Sequence, residues 1–194
     1  MTSPIRSAVP ADLDRAAGVL AAAFADSPWT RWALPARGYL RRLREIQHLY
    51  LTHARDHGIV LVDDDIHAVA AFLPPDPPAP AEAEWRRIAE LHGPRLAEVS
   101  RVPTPAPPSG AWTLETVGVD PEQQGQGLGT AILTAGLALI DDRGDSIALE
   151  TSDERNVRLY ERLGFATAAT TAIADGPFVW SMSRRCPTTS AAQG

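Results

Sequence analysis

Val117-Gly-Val-Asp-Pro-Glu-Gln-Gln-Gly-Gln-Gly-Leu-Gly129-Thr130 is the stretch on which the reading of this chain turns. A β-branched run ends at Val119, a turn carries Gly125 and Gly127, and an apolar helical pattern starts directly after them. Glycine admits positive φ and lets a ligand approach bare backbone. Successive N–H groups at a helix start, aided by the helix dipole, form an anion site for which pyrophosphate is the natural occupant. Two common nucleotide signatures fail on specifics. A dinucleotide fingerprint needs a third glycine where Thr130 stands, and a P-loop needs a lysine. All 18 basic residues of the chain are arginine.

Working outward, strand patterns cover Ala111–Val119, Ser146–Thr151, Phe165–Ile173 and Phe178–Ser183, with helices over Gly127–Asp142 and Asp153–Leu163. Upstream, Leu13, Ala17, Leu20 and Phe24 recur at helical spacing over Ala11–Ala25, and a break is expected at Asp26-Ser-Pro-Trp29. Tyr39, Leu43, Ile46, Tyr50 and Ala54 form the apolar stripe of a helix over Pro35–Asp56. Ile59–Val62 and Ile66–Leu73 read as a hairpin turned by Asp63-Asp64-Asp65. Two proline-rich stretches, 74–80 and 102–110, bracket a helix over Ala81–Val99 broken near Gly93-Pro94, and read as loops within one domain. The pattern predicts an α/β (α+β) sheet with helices on both faces. One domain is expected over 1–186, with a disordered C-terminal tail over 187–194.

Composition sets the remaining bounds. A net charge of −6 argues against nucleic-acid binding. The most apolar stretch, Leu128–Ile140, is too short to cross a bilayer, so no membrane association and a cytoplasmic location are expected. The single cysteine, Cys186, makes no intrachain disulfide and reads as part of a frayed end. His53 and His57 are four apart on a helix, but position 54 is alanine and no third ligand is evident, so no metal is expected.

Gln124-x-x-Gly127-x-Gly129 resembles the R/Q-x-x-G-x-G/A signature of the GNAT N-acetyltransferases, and Asn156-x-x-x-Tyr160-x-x-x-Gly164-Phe165 resembles that family's next motif. Leu20–Asp26 with Pro28, Thr30 and Arg31, Ala111-Trp112, Leu149-Glu-Thr-Ser152, Tyr160–Phe165 and Gly176-Pro177 are similar to the puromycin N-acetyltransferases within it. The resemblance implies a mixed, mostly antiparallel sheet that splays between two central parallel strands to admit acetyl-CoA. It implies that Gln124, Gly125, Gln126, Gly127, Leu128, Gly129 and Thr130 hold the pyrophosphate. Backbone of Val117, Gly118 and Val119 would pair with the pantetheine arm, which Asn156 would contact.

Tyr160 would be the acid toward the leaving thiolate. Glu115 is the candidate base, because its strand parity matches Val117 and Val119, and Glu150 lies on the adjacent strand. Phe24, Asp26, Trp29, Trp32 and Tyr39, with Phe178 and Trp180 opposite, are expected to shape the acceptor pocket. The expected partner is a small-molecule amine such as an aminoacyl nucleoside, and the expected state is monomer or homodimer. A protein amine, or acyl-CoA binding without turnover, stay open as alternatives.

Overall fold

The computed structural model describes residues 3–187. Seven strands form one sheet in the order β1-β2-β3-β4-β5-β7-β6, with β1 at Ile5–Ser7, β2 at Ile59–Asp63, β3 at Ala68–Leu73, β4 at Trp112–Val119, β5 at Ile147–Thr151, β6 at Ala166–Ala172 and β7 at Phe178–Arg184. All neighbours pair antiparallel except β4 with β5. That parallel ladder has two register pairs, Trp112 with Ile147 and Thr113 with Ala148, and ends there. The mixed, splayed sheet expected from the sequence is the one observed.

β3 reads Ala-Val-Ala-Ala-Phe-Leu and is buried at every position, since helices cover both faces. Ala68, Ala70 and Phe72 meet α6 (Leu128–Asp141), while Val69, Ala71 and Leu73 pack toward α1 (Leu13–Ala23) and α3 (Tyr39–His57). α4 (Glu82–His92) and the short α5 (Leu96–Val99) form an outer layer, with Ile88 and Leu91 packed on Leu43 and Ile46 of α3. α7 (Glu154–Arg162) follows β5 and packs Val157 and Tyr160 into the core under the sheet.

Several boundaries differ from the sequence reading. Asp26–Trp29 is not a simple break: a helix α2 occupies Pro28–Ala33, with Pro28 in its first turn, where its fixed φ suits a helix start. α3 starts at Tyr39 and not Pro35, because Gly38 precedes it in the left-handed region at φ 69°. β1 is too short to carry an alternation of its own and exists through its pairing with β2. Cys186 is half-buried rather than frayed, its Sγ 3.5 Å from the Asp141 carbonyl, because Arg184 grips the Asp141 carboxylate at 2.6 and 2.8 Å. The expected tail lies outside the described residues beyond Pro187.

α6 lies close on β3 because Gly136 faces the ring of Phe72. A Cβ on Gly136 would stand 2.1 Å from the ring, and Phe72 is fully buried. Gly136→Ala is therefore expected to destabilise the fold by about 1–3 kcal/mol through overpacking. Phe72→Leu in the same background should return part of the loss in urea denaturation. A Gly136→Ala midpoint equal to wild type would show that α6 shifts without cost.

Candidate active site

The parting of β4 and β5 opens a cleft of about 1400 Å³. Along its floor runs β4, and at the end of β4 stands the glycine turn. Asp120 opens the turn: its N–H donates to the His67 carbonyl at 2.7 Å, and its carboxylate accepts from the Glu122 N–H at 3.0 Å. Gly125 and Gly127 have φ of 79° and 83°, conformations other residues adopt only with strain. Among the described residues and apart from their chain neighbours, no atom lies within 4 Å of where their Cβ atoms would be, so both present bare backbone to open space. Gly127 caps α6, and the first intrahelical bond runs from the Ala131 N–H to the Gly127 carbonyl at 2.9 Å. The N–H groups of Leu128, Gly129 and Thr130 thus have no intrahelical acceptor. All three residues line the cleft.

Of the expected ligand-holding residues, Val117, Gly118, Val119, Gln124, Gly125 and Asn156 also line the cleft. Gln126 does not; its side chain turns back to donate to Gln123 Oε1 at 2.9 Å. Gln124 donates to the Val119 carbonyl at 3.2 Å, tying the turn to the strand it leaves.

Glu115 departs from the parity expected of it. Ala71 faces Thr116 and Phe72 faces Leu114, which leaves Glu115 as the extra residue of a β-bulge. Before the bulge Leu114 packs on the α6 side, and beyond it Val117 and Val119 do. Thr116 turns to α3, with its hydroxyl 3.5 Å from Gln47 Oε1, and Gly118 abuts Leu20 and Ala23 of α1. Glu115 shares the α3 side, where it borders Tyr50 and His53. It does not lie on the face of Val117 and Val119.

Solvent reaches Glu115 inside the cleft, but protein surrounds it. That burial, and the Glu150 carboxylate across the splay, push its carboxyl above the usual range. Burial, then the Glu115 charge, likewise raises the Tyr50 phenol. Glu150 is held loosely by the Ser181 hydroxyl at 3.4 Å. Tyr160 is buried, lines the cleft and meets the ring of Phe165 edge-on at 5.7 Å. Burial first, and the Asp153 charge second, raise its phenol, so it holds its proton at neutral pH.

Of the residues expected to shape the acceptor pocket, Phe24, Asp26, Trp29 and Trp180 line the cleft. Trp32, Tyr39 and Phe178 do not. Trp32 is turned into the protein beside Trp29 at 5.4 Å. Tyr39 is a core residue whose hydroxyl lies 2.8 Å from Thr30 Oγ1 and donates to the Phe24 carbonyl at 3.2 Å. Phe178 lies exposed at the start of β7. The sequence reading missed Gln47, Tyr50 and the wall at Pro105–Pro108. Tyr50 was legible only as one more member of an apolar stripe. The proline stretch carried no pattern to say where it folds.

The family model for the acetyltransferase (GNAT) family matches residues 26–165, more than half of the chain. A mycothiol acetyltransferase of Propionibacterium freudenreichii subsp. shermanii is 28% identical over 68% of this chain and 41% of its own length. The chain thus matches less than half the length of such curated relatives. A Corynebacterium glutamicum structure described as a histone acetyltransferase and related acetyltransferase is 25% identical, with a TM-score of 0.78 over 98% of this chain and 99% of that one. An acetyltransferase structure from Salmonella typhimurium, solved with acetyl-CoA, is 16% identical with a TM-score of 0.57 over 98% of each chain; at that identity it supports the fold alone.

The raised carboxyl of Glu115 has a consequence for stability. A folded-state pKa above the unfolded value of about 4.3 means that the fold disfavours the ionised form. Stability is full below the unfolded value and falls as pH climbs through the raised one. Glu115→Gln removes that loss, so its thermal midpoint should exceed that of wild type at pH 7 and converge with it near pH 4. A pH-independent difference between the two proteins would contradict this origin.

Proposed function

The chain belongs to the acetyltransferase (GNAT) family, and on that premise we propose that it transfers an acetyl group from acetyl-CoA to a small-molecule amine. The observation that carries the reading is that one cleft holds the glycine turn, Tyr160 and Glu115 together. The residues suit the donor. Bare backbone at Gly125 and Gly127 leads to the unpaired N–H groups of Leu128–Thr130, a cradle for a pyrophosphate. The part of β4 beyond Thr113 no longer pairs with β5, which leaves an edge for an extended arm along Val117–Val119. Acetyl-CoA, when bound, supplies the activated acyl group and a thiol leaving group.

The chain's own groups do the proton work. An amine attacks only when unprotonated, so the acceptor's proton must leave. Glu115 takes it: a carboxyl raised toward neutrality is a better base at working pH than an ordinary one. Tyr160 keeps its phenolic proton and holds it for the departing sulfur. A β4 N–H at Val117 or Val119 polarises the carbonyl, and Asn156 orients the arm.

Charge favours a cationic acceptor. Glu115 and Glu150 face the cleft, whereas Arg155 is engaged by Asp153 at 2.9 Å and Arg31 by Asp26 at 3.0 Å. His92, buried and lining the cleft, is shifted toward its neutral form by that burial. Trp29 and Trp180 offer flat apolar walls. The names of the relatives point to an acceptor related to mycothiol, and the resemblance to the puromycin enzymes to an aminoacyl nucleoside. A peptide amine is the second reading, favoured by the description of the Corynebacterium structure. The wall at Pro105–Pro108 speaks for the smaller molecule.

The test is a thiol-release assay with an amine panel that includes puromycin, an amine related to mycothiol and a basic peptide. Tyr160→Phe and Glu115→Gln should each lower kcat/KM by about 100-fold or more, while CoA affinity and thermal stability do not fall. Turnover of no amine by a protein that still binds CoA would leave an acyl-CoA binder and end the enzyme reading.

A further inference from the structure

The turn between β2 and β3 holds a polar cluster outside the cleft. Asp63, Asp65 and His67 each offer a ligand atom, and these atoms lie within 4.8 Å of one another. Asp63 is fully buried. Its Oδ1 accepts from the N–H groups of His67 at 2.7 Å and Ala68 at 2.6 Å, which fixes the carboxylate in place. Its Oδ2 is also buried and has no hydrogen-bond partner among the described residues. The nearest positive candidate, His67 Nδ1, stands at 3.9 Å, too far for a hydrogen bond. Arg6 is engaged by Asp12 at 2.7 Å and Asp64 at 3.3 Å. A buried carboxylate oxygen left unsatisfied is costly.

We propose that Asp63 Oδ2, Asp65 and His67 Nδ1 bind a divalent transition-metal ion of the Zn²⁺ class. Two carboxylates and one imidazole match the charge and the mixed N/O preference of such an ion. Bonds of about 2.0–2.2 Å require the three ligand atoms to close in slightly. Asp65 is exposed and His67 half-exposed, so both have room to move, while Asp63 is already set. None of the three lines the cleft. The ion braces the turn and takes no part in the transfer. Its position is still consequential, because the carbonyl of His67 anchors Asp120 at the root of the glycine turn.

The test uses the full chain without a histidine tag, stripped of metal, titrated with ZnCl₂ in a calorimeter and followed by thermal denaturation. Wild type should bind one Zn²⁺ per chain and melt at a higher temperature with it. Asp65→Asn and His67→Ala should each weaken binding by about tenfold or more, with the metal-free melting temperature unchanged. Neither side chain holds the turn, which rests on Asp63 and on backbone. His53→Ala and Cys186→Ser control for other sites that take zinc and should leave binding intact. Absence of one-to-one binding, or affinity that survives both ligand substitutions or is lost with His53 or Cys186, overturns the proposal.

Discussion

Two adjacent parallel strands that stay paired for only two register positions are the constraint on which this molecule is organised. β4 and β5 lie at the centre of a seven-stranded sheet, where an open ladder would ordinarily leave buried backbone groups unsatisfied. The opening persists because each strand is held on its other side, β4 by six pairs to β3 and β5 by five to β7. What the two strands no longer give each other becomes available to a ligand. α6 then aims its N-terminus into the gap, and Gly136 lets it lie flat on Phe72 while doing so. The cleft is therefore a property of the sheet's pairing, and Glu115, Glu150 and Tyr160 line it.

Electrostatics follow from the same opening. Glu115 and Glu150 come from the two parted strands, and the Glu150 charge acts on Glu115 across the gap. Repulsion and surrounding protein both disfavour ionised Glu115. In a structural setting that would be a defect. In the proposed site it is an advantage, since a raised carboxyl accepts a proton more readily than an ordinary one. Arg155, which lines the cleft, does not cancel the effect, because Asp153 occupies it.

The glycine turn and the Asn156–Tyr160 helix face were legible in the sequence because each is local. Spacing along one strand, turn or helix fixes them. Glu115 shows where that logic stops. Period-two alternation put it with Val117 and Val119, and a single bulged residue reversed the assignment. A bulge is set by the register of two strands together, which one strand's sequence does not contain. Tyr39 and Trp32 failed for a related reason. Aromatic residues near a site look alike in sequence, whether they wall a pocket or bond inward to Thr30 and Phe24 as Tyr39 does. β1 was invisible because its pairing, not its composition, makes it a strand.

Strain is distributed in an instructive way. Gly125 and Gly127 hold left-handed backbone at the cleft, where glycine makes that conformation inexpensive. Ile66 holds it at φ 54° in the β2–β3 turn, where a β-branched residue makes it costly. The turn is closed by the Ile66 N–H to the Asp63 carbonyl at 2.9 Å, and Ile66 buries its side chain among Val62, Val69 and their neighbours. Burial and the Asp63 carboxylate bonds together offset the strained residue. The same turn is tied through the His67 carbonyl to the Asp120 N–H, and so to the start of the glycine turn. The glycine turn that borders the cleft is thus anchored at its root on the β2–β3 hairpin.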